Sequence, residues 1–237
     1  MQPLDISAFK HVVFFTGAGL SAESGVPTYR GRGGIWSQYN YEDYACQRAF
    51  DRDPQKVLDF HEVRRGKVLA CEPHAGHRHL AALQKAHWNI SVITQNIDGL
   101  LQRAGVAVAA ELHGSLWRLR CAVHGVHEDA AEDRFASRTC PQCTPARTVW
   151  LRPDITWFED AVDEAVFARA GKLVRTADLF VAVGTSAVVW PAAGFVRLAQ
   201  ESGARMVEIN PEETEASGWF GLHAREPAST ALPRLFV

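Results

Sequence analysis

The sequence predicts an α/β fold: a parallel sheet covered by helices on both faces, with a smaller lobe built from two insertions. Three observations carry this. Short apolar runs that read as buried strands alternate with stretches whose apolar residues recur every three or four positions, the helical period. The runs are near-continuously apolar, as strands covered on both faces require. Two stretches, 31–71 and 117–147, break the alternation; the first is polar, aromatic and basic, the second rich in cysteine.

The strands are expected at 11–16, 88–94, 106–112, 178–183 and 205–210, with a weaker sixth candidate at 149–156, interrupted by Pro153. Helices are expected near 74–86, 161–176 and 191–202, and near 54–66 inside the first insertion. The sheet domain then comprises 1–30, 72–116 and 148–237, and the small lobe comprises a helical insertion, 31–71, and a cysteine module, 117–147. With 237 residues, 47% of them hydrophobic and 22% charged, the chain can bury a sizeable core and is not disordered. A net charge of -2 argues against nucleic acid as a partner. No apolar run approaches the roughly 18–20 residues that cross a bilayer, and the first ten residues are too polar for a secretory signal, so a cytoplasmic protein is expected, with no membrane partner and as a monomer. Five cysteines, an odd number, argue against a disulfide framework.

The first strand ends in Gly17-Ala18-Gly19, followed by Ser21, Glu23 and Gly25. Glycines between a strand and a helix expose backbone N–H groups that suit a diphosphate, although the spacing is G-x-G-x5-G and not the dinucleotide fingerprint. The same glycines also read as a turn that lets a helix pack close to a strand. Thr28, Tyr29 and Arg30 continue a polar loop that reads either as a cofactor cover or as ordinary surface. Gln95, Asn96 and Asp98 end another strand, where ligands of parallel sheets bind; they could reach an amide and ribose hydroxyls, or cap their own backbone. His113 ends a third, and an imidazole titrating near neutrality can serve as a base with little tuning. Cys140 and Cys143 form a C-x2-C knuckle, and Cys121 with His124 a C-x2-H pair upstream. Four such ligands in two knuckles suit one structural zinc ion, with His127 a second candidate for the histidine position.

Three motifs together resemble the sirtuin family. GAGLSAESGVPTYRG at 17–31 is similar to its nucleotide-binding signature, with Tyr29 where the family has Phe; TQNID at 94–98 and ELHGS at 111–115 follow in family order. The resemblance spans about residues 10–235, is nearest to the bacterial class III members, and implies a Rossmann-like NAD-binding domain with a zinc-ribbon-like insertion in the small lobe. It implies NAD-dependent deacylation of protein lysines, yielding nicotinamide, acyl-ADP-ribose and free lysine, with acylated-lysine proteins as substrates. His113 would be the base that deprotonates a ribose hydroxyl, and Asn96 and Asp98 would position nicotinamide and ribose. Gly17, Ala18, Gly19, Ser21, Glu23, Thr28, Tyr29, Arg30, Gln95 and Ile97 would complete that half of the cofactor site. Gly184, Thr185, Ser186, Asn210, Pro211, Glu212 and Ala228 would hold the adenosine half.

Segments matching 154–159 and 188–191 hold the substrate peptide as an added strand in the family, which assigns Phe158, Val188 and Val189 to the substrate. The family's Phe-Gly-Glu is here Phe158-Glu159-Asp160, and the first pair of zinc ligands is usually C-x2-C. In the subgroup that removes acidic acyl groups, a Tyr and an Arg three apart grip the acyl carboxylate; here they are His61 and Arg64, and Arg64 with Arg65 also reads as a solvated helix face. Two other functions use parts of the same sequence: ADP-ribosyl transfer to protein, and NAD sensing without turnover. A zinc-ribbon interaction protein would leave the glycine loop unexplained.

Overall fold

The computed structural model describes residues 2–29, 34–129, 132–144, 148–187 and 189–237. In chain order the strands are β1 (Val12–Thr16), β2 (Ile90–Thr94), β3 (Val108–Glu111), β4 (Gly114–Cys121), β5 (Gly125–Glu128), β6 (Arg152–Ile155), β7 (Leu179–Val183), β8 (Arg205–Ile209) and β9 (Leu222–Ala224). The helices are α1 (Ala18–Ala22), α2 (Ile35–Gln38), α3 (Tyr41–Tyr44), α4 (Gln47–Arg52), α5 (Pro54–Leu69), α6 (Ala75–Ala86), α7 (Leu100–Arg103), α8 (Glu164–Arg175), α9 (Gly194–Glu201) and α10 (Ala228–Leu235).

Every residue of β1 and β7 is buried, and the two-residue strand period divides them between two cores. Val12 and Phe14 pack with Leu179, Val181 and residues of α6 and α10; Val13 and Phe15 pack with Phe180, Ala182 and residues of α8 and α9. The result is the expected Rossmann-like layer, a parallel sheet in the order β3-β2-β1-β7-β8-β9. The chain turns from β1 toward β2 on one side, while β7 lies on the other. Their carboxyl ends therefore diverge into a crevice, the place where ligands bind in open parallel sheets.

Two strands depart from expectation. The run at 149–156 supplies β6, but β6 does not join the parallel sheet: it pairs antiparallel with β4 in a small sheet of order β5-β4-β6. An apolar run shows that a strand is buried, not which partner it takes. The sixth parallel strand is β9, whose three residues are too few to leave a period in the sequence. Helix α5 runs three residues beyond the expected 66, started by Pro54 and by Asp53, whose carboxylate accepts the Lys56 N–H. A third core joins the small helices to the small sheet, through Cys46, Phe50, Leu58, Leu116, Leu119 and Trp157 among others.

Candidate functional site

At the crevice, β1 runs into Gly17 and β7 into Gly184, and the two turns interlock. The Gly17 N–H donates to the Val183 carbonyl at 3.0 Å and the Gly19 N–H to the Gly184 carbonyl at 2.8 Å. A Cβ on Gly17 would lie 2.6 Å from the Thr185 Cβ, so only glycine permits this approach. The end of β2 closes the same crevice. Asn96 Nδ2 donates to the Gly17 carbonyl (3.0 Å) and to Ser21 Oγ (3.2 Å), and Gln95 Nε2 donates to Thr185 Oγ1 (2.9 Å). Three motifs far apart in sequence thus share one hydrogen-bonded set.

Beside it, a cleft of about 280 Å³ is lined by Gly19, Glu23, Gly184, Asn210, Pro211, Glu212 and Ala228, among others. Glu23 holds the start of α10 through the Ser229 N–H (3.1 Å) and hydroxyl. Ala18 is half-buried, Ser186 is exposed at the end of the Gly184 turn, and Ile97 is buried. The Thr28 carbonyl accepts the Ile35 N–H. Arg30 and Val188 lie outside the described residues. A larger surface groove of about 490 Å³ runs between α8 and α9 and holds none of these residues.

His113 stands at the foot of β4. Its Nδ1 is 2.9 Å from the Gln95 carbonyl oxygen, which can only accept, so Nδ1 carries the proton and Nε2 presents its lone pair. Burial holds the imidazole below its ordinary pKa of 6.5, against the opposing pull of that hydrogen bond. The ring is therefore neutral at neutral pH. Asp98 is buried, which raises its carboxyl pKa, while the Leu100 N–H (2.8 Å to Oδ1) and the Ser21 hydroxyl favour the charged form. The remaining neighbours are Trp117, whose indole N–H donates to the Asp98 carbonyl at 2.8 Å, and His74, whose Nε2 is 2.6 Å from the Leu20 carbonyl. Neither carries a sequence signal of its own: Trp117 falls at the first position of the cysteine module, and His74 at the start of an expected helix.

On α5, Arg64 donates to the Tyr29 hydroxyl at 2.8 Å and lies over the Tyr29 ring at 5.1 Å. Arg64 is therefore engaged with Tyr29 and is not a freely solvated side chain. His61 is fully buried and stacks on Trp157, ring centroids 5.9 Å apart. Burial, then the nearby Arg64, pushes its pKa well down, so it is neutral; the Tyr44 carbonyl opposes this slightly, yet neither ring nitrogen makes a hydrogen bond of normal geometry. The Phe158 ring packs against Tyr41 (4.3 Å) and Trp36 (5.5 Å), and Val189 is half-buried. Glu159 takes φ +71°, the left-handed conformation that a glycine would adopt freely.

Cys121, His124, Cys140 and Cys143 converge at the end of the β4–β5 hairpin, all ligand atoms within 4.8 Å of one another. His124 Nδ1 lies 3.7, 3.4 and 3.5 Å from the Cys121, Cys140 and Cys143 sulfurs, and Cys121 and Cys143 Sγ are 3.9 Å apart. A tetrahedral zinc with Zn–S of about 2.3 Å and Zn–N of about 2.0 Å separates its ligands by roughly 3.8 Å (S–S) and 3.5 Å (N–S). The four residues fit a structural zinc. The Val123 N–H donates to Cys121 Sγ, further support for a thiolate there. His127 lies down β5 opposite Leu119 and outside this set.

The sequence matches the Sir2 family over residues 17–191. It is 38% identical over 231 residues to an NAD-dependent protein deacylase of Aquifex aeolicus (strain VF5), covering 95% of this chain and 94% of that protein. It is 41% identical over 230 residues to NAD-dependent protein deacylase 2 of Pyrobaculum aerophilum, covering 97% and 91%. Among solved structures, a Sir2 homologue in complex with NAD superposes with a TM-score of 0.86 at 35% identity, over 96% of this chain and 88% of that one.

Proposed function

The chain belongs to the Sir2 family, and from that premise we propose that it is an NAD-dependent protein-lysine deacylase. The observation that carries the proposal is the state of His113. Its Nδ1 is committed to the Gln95 carbonyl, which leaves a neutral Nε2 beside the crevice that the glycine loop and the β2 end build together. That is the arrangement a general base needs at neutral pH.

NAD supplies, as co-substrate, a ribose carbon from which nicotinamide departs. The protein's part is positioning and proton transfer. Asn96, Asp98 and Gln95 orient the nicotinamide ribose, the Gly17–Gly19 turn and the cleft from Glu23 to Ala228 take the phosphates and adenosine, and His113 Nε2 removes a ribose hydroxyl proton. Zinc holds the small lobe together and takes no part in the chemistry, because four protein ligands leave no open position.

The substrate is an acylated-lysine protein, its backbone added as a strand between the 154–159 and 188–191 segments. The acyl group is acetyl in the first instance. Arg64 already gives one of its five N–H donors to Tyr29, and the buried, neutral His61 offers at most one weak donor. Comparing acetyl- and succinyl-lysine peptides on the wild type and Arg64→Met tests this: selective loss of succinyl activity supports an acidic-acyl role, and equal loss removes it. Five cysteines without a disulfide suit a reducing cytoplasm, and we propose a monomer there, acting on protein without nucleic acid or membrane; light scattering reads the oligomeric state. Among the described residues no helix is long and apolar enough to cross a membrane.

The decisive experiment is nicotinamide release from NAD with an acetylated peptide, on wild type and His113→Tyr. Release coupled to free lysine, lost in the variant, is expected. Full deacylation by His113→Tyr would overturn the assignment, and ADP-ribose on an acceptor protein in place of acyl-ADP-ribose would reassign the activity.

A further inference from the structure

The segment from His113 to Trp117 grips the 95–98 loop at three carbonyls. His113 Nδ1 meets the Gln95 carbonyl (2.9 Å), the Leu116 N–H meets that of Ile97 (2.9 Å), and Trp117 Nε1 meets that of Asp98 (2.8 Å). The third contact is the one in which a side chain outside the His113 motif reaches the loop. It falls on the peptide unit joining Asp98 to Gly99. Gly99 has φ +77°, and a Cβ there would lie 2.4 Å from Trp117 Nε1, so the indole occupies the space that this turn leaves open. The turn then delivers the Leu100 N–H to Asp98 Oδ1. The direction of the Asp98 carboxylate is thus set, together with the Ser21 hydroxyl, by a loop whose other face is the indole.

The indole is itself held. The Arg65 guanidinium lies 5.0 Å from its ring, fully buried, and bonds to Asp129 (2.6 Å), to the Glu132 carbonyl (2.7 Å) and to the Leu116 carbonyl (3.4 Å). Arg65 comes from α5, Asp129 from the residue after β5, and Trp117 from β4, which ends at the metal ligand Cys121. One strand therefore has the candidate base at its foot, a zinc ligand at its tip, and Trp117 midway, pressed on the cofactor loop.

We propose that Trp117 is a positioning residue for the cofactor step: clamped by Arg65, its indole N–H fixes the Asp98–Gly99 turn and so aims the Asp98 carboxylate. This rests on the reading of Asp98 as a residue that orients the nicotinamide ribose. Trp117 is not catalytic, since its polar atom is spent on protein backbone.

Two variants test the clamp. Trp117→Phe removes the donor but keeps an aromatic face for Arg65. Replacement of Trp117 by benzothienylalanine, in which sulfur takes the place of the indole N–H, removes the donor with little change of shape and serves if the Phe protein folds poorly. The expected result is a rise of about fivefold in KM for NAD, the size of one neutral hydrogen bond lost, with KM for the acetylated peptide within about twofold of the wild type and zinc content unchanged. Hydrogen exchange at the Leu100 amide should accelerate by a similar factor. A merely structural tryptophan would reduce the active fraction, and with it the maximal rate, but leave KM for NAD where it was. An unchanged KM for NAD in the benzothienylalanine protein overturns the proposal while the deacylase reading stands. A wild type that releases no nicotinamide sinks the deacylase reading instead, and the Leu100 exchange rate then decides the clamp by itself.

Discussion

Replacing Glu159 by glycine should stabilise the protein, provided the Arg48 contact is accounted for. Glu159 sits at φ +71° because both neighbours are fixed: the Phe158 N–H bonds to the Ala45 carbonyl, and Asp160 accepts from the Trp157 N–H (2.9 Å) and from Arg152 (2.6 Å). A residue with a Cβ pays about 1–2 kcal/mol in that conformation. Glycine avoids it but gives back roughly 0.4–1 kcal/mol through the freedom of the unfolded chain. The net gain is about 0.5–1 kcal/mol. Glu159 also makes a fork with Arg48 (2.6 and 3.1 Å), exposed on both sides and so of small net weight. Removing it first, in Arg48→Met, isolates the backbone effect. In that background Glu159→Gly should unfold about 1–4 °C later than Glu159→Ala in thermal scans, from the roughly 2–4 °C per kcal/mol expected for a chain of this length. The same order should appear in urea midpoints. A Glu159→Ala protein as stable as Glu159→Gly would refute the argument, since it would mean that the left-handed turn is not imposed on the chain.

Other expectations follow from the same geometry. The purified protein should carry one zinc per chain by elemental analysis, and Cys140→Ala should lose it; with free metal about a thousandfold above its dissociation constant, removal costs about 4 kcal/mol, so a chelated protein that melts with the holoprotein would exclude a structural zinc. Because burial holds His113 below 6.5, its base form persists into mild acid, and the acid limb of kcat/KM should have its midpoint below 6.5; a midpoint above 7 would contradict this. Stability should fall in acid through His77, whose folded pKa is lowered to about 3 by burial, then by His74 and Arg78. The unfolded chain binds that proton near pH 6.5 and the folded one resists it. The contribution is thus complete above about 6.5 and lost toward 3, with a slope of at most about 1.4 kcal/mol per pH unit for one proton. Urea midpoints across that window, compared with His77→Gln, should show the flatter profile in the variant. Gly17→Ala, whose Cβ would lie 2.6 Å from Thr185, should cost about 1–3 kcal/mol and weaken ADP-ribose binding by at least about tenfold, read by calorimetry.

What could be read from the sequence was what is local. β1 and β7 announce themselves because each residue is buried and the run is continuous. The glycine turns stand out because a strand rarely ends in two glycines without a reason. Partnership was not legible: the run holding β6 reads the same whether it adds to the parallel sheet or, as it does, to β4. Spacing left His124 and His127 both open as metal ligands. The hairpin decides between them, since its turn returns His124 to the Cys121 end while His127 descends β5 opposite Leu119. Arg65 was invisible for a different reason. Beside Arg64 it looks like part of a charged helix face, and only the fold reveals that it is buried against Asp129 and two aromatic rings.

Four residues depart from the motifs this chain resembles, and each meets a local answer. Tyr29 adds a hydroxyl, and Arg64 takes it. Glu159 replaces a glycine, and Asp160 with Arg152 holds the turn regardless. His124 replaces a cysteine at distances that still suit a tetrahedral ion. His61 makes no hydrogen bond of normal geometry and is kept neutral by burial against Trp157. None of these answers touches the contacts that orient His113 and Asp98, which are made to backbone carbonyls at 95, 97 and 98. Backbone carbonyls do not change with side-chain identity. In the proposed function, the chemistry can therefore stay constant while the His61 and Arg64 side of the acyl site varies, and acyl preference is the property in which this chain should differ most from its relatives.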